Sequence, residues 1–136
     1  MVTGAVLAQQ ARHYIGTPFY HCGRNEHGLD CCGLLIRVAH DLGMTDWDEV
    51  DYSQQVNTEY LRESIDKFCD PVPKKNMRAG DILLFSMMGS PQHLGIVTDL
   101  GFIHAHQTAG GVVENSLDSI WLRRLVAVYR WRGIDG

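Results

Sequence analysis

The sequence predicts an α+β fold, with N-terminal helices packed on a C-terminal antiparallel sheet of about five strands. Two observations carry this expectation. Apolar residues recur at helical spacing as far as residue 68, and from Gly80 the texture changes to short β-branched or aromatic runs separated by Gly, Asp and Asn turns. Helical segments first and a strand meander after them is the α+β order. The chain has 136 residues, 45% of them hydrophobic and 21% charged. That suits one domain over residues 1–136, large enough to bury a core without staples.

Leu7, Ala11, Tyr14 and Ile15 form one apolar stripe, a first helix that ends at Gly16 before Thr17-Pro18. A loop rich in Gly, His and polar residues runs to Leu29. Asp30 is a good N-cap for a second helix, with Leu34, Leu35, Val38, Ala39 and Leu42 on its buried side and Gly43 as its stop. An acidic loop (Asp46, Asp48, Glu49, Asp51) leads to a third helix with Leu61, Ile65 and Phe68 in register. "DPVPKKN" closes the helical half, since proline ends helices. The strands are "DILLFS", "HLGIVTD", "GFIHAH", "GVVEN" and "LVAVYRW". The chain carries no internal repeat, linker or low-complexity segment.

Charge and hydropathy exclude two partner classes. The formal net charge is −4, whereas phosphate recognition needs a basic surface, so nucleic acid is not the expected partner. Arg123, Arg124, Arg130 and Arg132 read as a solvated face. No apolar run approaches the ~20 residues of a membrane span. The first residues lack a basic n-region, and Gln9, Gln10 and Arg12 interrupt any apolar stretch, so synthesis in the cytoplasm without a signal peptide is expected. Cys22, Cys31, Cys32 and Cys69 are expected to be thiols: neighbours such as Cys31 and Cys32 bond only under strain.

The chemistry of the chain centres on "HGLDCCGLLIRVAH", residues 27–40. Cys31 falls at the first position of the second helix, where unpaired N–H groups and the helix dipole favour a thiolate. The same N–H groups are suited to hold an oxyanion. Position alone leaves a second reading open, a small buried hydrophobe. Cys32 points about 100° further round and reads as a flanking residue.

A nucleophilic cysteine needs a base, distant in sequence and near in space. In "HLGIVTDLGFIHAH", His93 opens one strand and His104 sits in the next. A turn at Thr98-Asp99, or over Val97 to Leu100, would set these two histidines directly opposite each other, about 5 Å apart at Cβ. One would take the thiol proton and the other orient it, as in a catalytic triad. His106 shares their parity and rivals His104. Gly101 permits a bulge, which leaves the register open.

In this order, "DCCG" (30–33), "AGDILLF" (79–85), "HLGIV" (93–97) and "FIHA" (102–105) resemble the NlpC family of papain-fold cell-wall cysteine peptidases. "YIGTPF" (14–19) and "VAVYRW" (126–131) extend the likeness over nearly the whole chain. The resemblance implies Cys31 as nucleophile, His93 as base and His104 as the orienting residue. It implies hydrolysis of peptidoglycan stem peptides, with the D-glutamyl–diaminopimelate bond as the expected site, and no cofactor. It also implies substrate contacts at Phe19, Tyr20, Asp30, Cys32 and Ser53. "HC" at 21–22 and "YS" at 52–53 look most like phage- or prophage-tail members, whose partners are other tail proteins and whose place of action is the cell wall. Three departures stand out. Cys32 occupies a position where the family has serine, Phe19 stands where it has tyrosine, and the turn between the histidine strands is one residue shorter.

Two alternatives stay open. A zinc-binding module would draw on His21, Cys22, His27, Cys31 and Cys32, but these lack a CxxC spacing and no metal is expected. A non-catalytic tail-tip component is the reading from another class. A permuted lipid acyltransferase is disfavoured, because its histidine strand would precede the cysteine.

Overall fold

The computed structural model describes residues 2–45, 58–87 and 90–134. Ser53, Trp47 and the acidic cluster 46–51 lie outside them. Helix α1 (Gly4–Arg12) is capped by Thr3, whose hydroxyl accepts the Val6 N–H at 3.1 Å. Leu7, Ala11 and Tyr14 are buried as the stripe predicts, whereas Ile15 is exposed because the helix has ended before it. A short hairpin, β1 (Arg24–Asn25) and β2 (Gly28–Leu29), precedes α2 (Cys31–Asp41). Helix α3 covers Thr58–Asp66.

Among the described residues the main sheet has six strands, against the five or so expected. In chain order they are β3 (Cys69–Val72), β4 (Ile82–Met87), β5 (Ser90–Thr98), β6 (Gly101–His106), β7 (Gly111–Asn115) and β8 (Leu125–Trp131). All its pairings are antiparallel, in the spatial order β3-β8-β4-β5-β6-β7. The additional strand, β3, contains Pro71 within the segment read as a helix terminator. Proline lacks an N–H for a ladder, and β3 sits at the sheet edge, where that is tolerated. A short helix, α4 (Ser119–Arg124), also escaped the sequence reading; Asp118 caps it through the Trp121 N–H.

The two faces of the sheet carry different cores, as the strand period of two requires. Leu84, Leu94, Ile96, Ile103, Ala105 and Val112 face α1 and α2. Leu83, Phe85, Val97, Phe102 and Val128 face the other way, around Trp121 of α4. The predicted solvated arginines are largely structural. Arg130 makes a bidentate pair with the fully buried Asp81, and Arg132 donates to the carbonyls of Asp66, Lys67 and Cys69.

Candidate active site

Residues 16–20 tie the start of α2 to the free edge of the sheet. The Phe19 N–H donates to Gly110 O and the Val112 N–H to Thr17 O, both at 2.9 Å, while the Leu29 N–H reaches Pro18 O at 3.0 Å. The chain entering α2 is therefore held from the β7 side before Asp30 begins the helix. Asp30 is buried and its carboxylate is a local hub. One oxygen accepts the Gly33 N–H at 2.7 Å, the other the Cys22 N–H at 2.8 Å, and the Arg24 guanidinium lies 3.4 Å away. Glycine at 33 is required by space: a Cβ there would lie 2.0 Å from the Gly23 carbonyl oxygen. Cys22 itself takes a left-handed φ of 62°, uncommon for a side-chain-bearing residue.

Cys31 occupies the first helical position and is partly exposed. Its thiol is pulled well below the usual cysteine range, first by a hydrogen bond from Cys32 and then by the hydrogen bond and charge of His93, against the opposing effect of burial. Cys32 is driven the opposite way, because its proton is held between the two sulfurs. The helix start thus favours one thiolate and one thiol, with the negative charge on the sulfur beside His93.

His93 and His104 project from the α4 face of the sheet, and both are buried. His93 Nε2 lies 2.7 Å from His104 Nδ1, and His104 Nε2 lies 2.7 Å from Asn115 Oδ1. Burial is the main reason that His104 is pushed down to about 3, which keeps it neutral. His106 stacks on His104 with ring centroids 4.9 Å apart, and its own value is lowered by burial. Trp121 packs edge-on against His104, closing the cluster from α4.

The predicted register needs correction. Thr98 pairs with Gly101, so the turn is Asp99-Leu100, one residue later than Thr98-Asp99 and two residues shorter than a turn over Val97 to Leu100. Continued along the strands, that pairing would set His106 across from His93, with His104 diagonal to it. Leu100 is 69% exposed in the turn, a residue type that gives no turn signal. The turn is pinned by Arg12, which pairs with both Asp99 and Glu114. The shift of two residues keeps all three histidines on one face. The β5–β6 ladder runs only from Ile96 to Thr98, and in the space before it the His93 and His104 rings converge.

Of the residues implied as substrate contacts, Tyr20 is exposed, Phe19 packs partly against the core, and Asp30 and Cys32 flank Cys31. His21, Cys22 and Asp30 place donor atoms within 4.8 Å of one another, a trio only partly foreseen in the zinc alternative. The Arg24 guanidinium beside Asp30 opposes a cation there. Asn115 and Trp121 were not singled out in advance as site residues. Asn115 shares the strand face of His104, a signal that becomes visible only once the β6–β7 register is known.

Residues 16–130 match the profile of the NlpC/P60 family. "Probable endopeptidase NlpC" of Escherichia coli (strain K12) is 32% identical over 124 residues, covering 88% of this chain and 72% of that protein. "Probable endopeptidase" of Haemophilus influenzae is 28% identical, with 85% and 66% coverage. "Murein DD-endopeptidase MepS/Murein LD-carboxypeptidase" of E. coli K12 is 24% identical, with 87% and 57%. This chain therefore spans a little more than half to about two thirds of these last two relatives. Among solved structures, the NlpC/p60 domain of peptidoglycan hydrolase SagA superposes with a TM-score of 0.65 at 24% identity, covering 93% of this chain and 97% of that one. NlpC1 from Trichomonas vaginalis gives 0.71 at 17%, covering 94% and 44%. The fold is theirs, and by its sequence the chain belongs to the NlpC/P60 family.

Proposed function

We propose that this chain is a cysteine peptidase that hydrolyses peptidoglycan stem peptides, with Cys31 as nucleophile, His93 as base and His104 as the residue that orients the base. The observation that carries this reading is Cys31 at the first position of α2 in hydrogen-bond contact with His93, whose Nε2 lies 2.7 Å from His104 Nδ1. The name of the E. coli murein endopeptidase supports the substrate class, and the endopeptidase names of the other E. coli and H. influenzae relatives support the reaction class.

In the proposed reaction the Cys31 thiolate adds to the carbonyl carbon of the scissile amide. Helix geometry directs the first N–H groups of α2 at the resulting oxyanion. His93, carrying the former thiol proton, passes it to the leaving amine as the C–N bond breaks. Neutral His93 then takes a proton from water, the hydroxide attacks the thioester, and the carboxylate product leaves as Cys31 is regenerated. Phe19, Tyr20, Asp30, Cys32 and Ser53 are the proposed substrate-side contacts.

The finer reading is cleavage between D-glutamate and diaminopimelate by a tail-associated enzyme acting in the cell-wall compartment. It rests on the likeness of the sequence motifs. One relative is named for DD-endopeptidase and LD-carboxypeptidase activities, so the bond is what experiment must decide. Mass spectrometry of muropeptides after incubation with wild-type and Cys31→Ala protein identifies the new termini. Cleavage by wild type alone is expected. Absence of cleavage by protein whose Cys31 still reacts with iodoacetamide overturns the hydrolase reading in favour of a non-catalytic tail component.

A further inference from the structure

The hydrogen-bond chain behind Cys31 does not end at His104. Asn115, the last residue of β7, places Oδ1 2.7 Å from His104 Nε2. The backbone seats it closely: a Cβ on Gly101 would lie 2.0 Å from the Asn115 carbonyl oxygen, so only glycine lets the strands approach this way. His104 has no exposed surface, so water does not compete for its ring nitrogens.

We propose that Asn115 is a positioning residue that sets the proton arrangement of the whole relay. An amide oxygen only accepts, so it holds the His104 proton on Nε2. His104 Nδ1 is then a lone pair and accepts from His93 Nε2–H across their 2.7 Å contact. The remaining ring nitrogen of His93, Nδ1, carries a lone pair and takes the Cys31 thiol proton: the S–H bond breaks, the N–H bond forms, and the charge becomes thiolate and imidazolium. Reversing the amide would put its NH2 toward His104. That would move the His104 proton to Nδ1 and leave His93 with its proton on the wrong nitrogen.

The neutral end of the chain matters as much as its direction. A carboxylate at position 115 would also accept from His104 Nε2, but it would favour the doubly protonated ring. A protonated His104 presents Nδ1–H to His93 and can no longer accept. Buried His104, held down to about 3, stays an acceptor throughout the neutral range. The titratable groups around it are His93 on β5 and His106 on β6, with Arg124 of α4 acting on His106 and Cys31 of α2 beyond His93.

The inference rests on the proposed roles of Cys31 and His93, yet it can be tested without substrate. Long-range 1H–15N correlation spectra of the imidazoles near pH 7 should show His104 as the neutral Nε2–H tautomer and, where neutral, His93 also as Nε2–H. In Asn115→Leu, His104 should populate both tautomers, and the iodoacetamide reactivity of Cys31 at pH 7 should fall at least about tenfold, as for a misdirected base. In Asn115→Asp, the Nε2–H tautomer should return at high pH, with His104 protonating at higher pH than in wild type. Cys31 reactivity should then be lost on the acid side, a pH shift that a merely structural role would not produce. A wild-type His104 carrying its proton on Nδ1, or tautomers unchanged in Asn115→Leu, overturns the proposal. If Asn115→Leu does not fold, the wild-type spectrum and Asn115→Asp decide alone. Correct tautomers without muropeptide cleavage would sink the hydrolase reading and leave this one standing.

Discussion

His93 and His104 meet nitrogen to nitrogen at 2.7 Å although their strands are registered so that His106 would stand across from His93. The contact is diagonal. It forms where the β5–β6 ladder has stopped, with the His106 ring stacked on His104 and 5.7 Å from that of His93. The histidine that directs His93 is therefore chosen by ring packing, with Trp121 and Phe102 against His104, rather than by cross-strand pairing.

This geometry orders three variants. His93→Ala should remove nearly all hydrolytic activity, because His93 is the base in hydrogen-bond contact with Cys31. His104→Ala should cost less, since an orienting group acts through the base. His106→Ala should cost least, since its ring packs beside the relay. Relative kcat/KM on one muropeptide gives the order. A larger loss in His106→Ala than in His104→Ala would mean that the diagonal contact is not the working one.

The ease of reading differed between residues for physical reasons. The Asp30 cap, the start of α2 and the shared face of His93 and His104 are local or depend on parity, and the sequence displays both. The register was not legible, because it depends on Arg12 holding Asp99 from another element. Pro71 hid β3, since only its place at the edge makes proline acceptable there. Arg130 looked like a surface charge because its partner Asp81 is distant in sequence. Asn115 was invisible for a related reason: an asparagine ending a strand looks like a turn residue until a ring nitrogen is found against it.

The four thiols should separate by reactivity. Cys31 is lowered by Cys32 and His93, Cys32 is raised, and burial pushes Cys69 up to about 12. A thiol lowered in this way holds more of its thiolate form at a given pH than Cys32 or Cys69 and loses its charge only as pH falls through the lowered value. Iodoacetamide labelling with peptide mapping should find Cys31 modified first at pH 6–7 and Cys69 last. Cys32 leading Cys31 would place the charge on the wrong sulfur.

Burial of neutral His104 makes the fold sensitive to mild acid. Its value is about 3 in the folded protein against 6.5 for an unperturbed histidine, so between those limits the unfolded chain binds the extra proton. Stability therefore rises with pH through this window and is lost as pH falls below about 6.5, at up to about 1.4 kcal/mol per pH unit. His106, lowered in the same direction, adds to the effect. Glu114 and Asp99 contribute chiefly below their unperturbed values of 4.5 and 3.8, while the lowered Cys31 thiol adds a slope of the same sign, so the share of His104 is the part of the slope between 6.5 and 4.5 that its replacement removes. Urea denaturation at half-unit steps should give a slope that His104→Gln largely removes. An unchanged slope in that variant would assign the acid sensitivity elsewhere.

The Asp81–Arg130 pair should be an asymmetric support for the central strands. Asp81 has no exposed side-chain surface, while 23% of Arg130 remains open to solvent. The guanidinium donates to both carboxylate oxygens, at 2.8 and 2.9 Å, and the Arg78 N–H adds a third bond at 2.9 Å. Arg130→Met leaves a buried carboxylate with its cation gone and should cost about 3–5 kcal/mol. Asp81→Ala leaves an arginine able to turn toward water and should cost less, about 2–3 kcal/mol. Since Asp81 leads into β4, whose Phe85 pairs with His93, both variants should also lower activity in proportion to the protein that is unfolded. Combining Asp81→Asn with Arg130→Met removes both charges, and the double variant should be more stable than Arg130→Met alone. Chemical denaturation of the set at pH 7 reads all three values. If Asp81→Ala proves the more damaging of the single changes, the arginine is not relieved by solvent and the asymmetry argued from exposure is wrong.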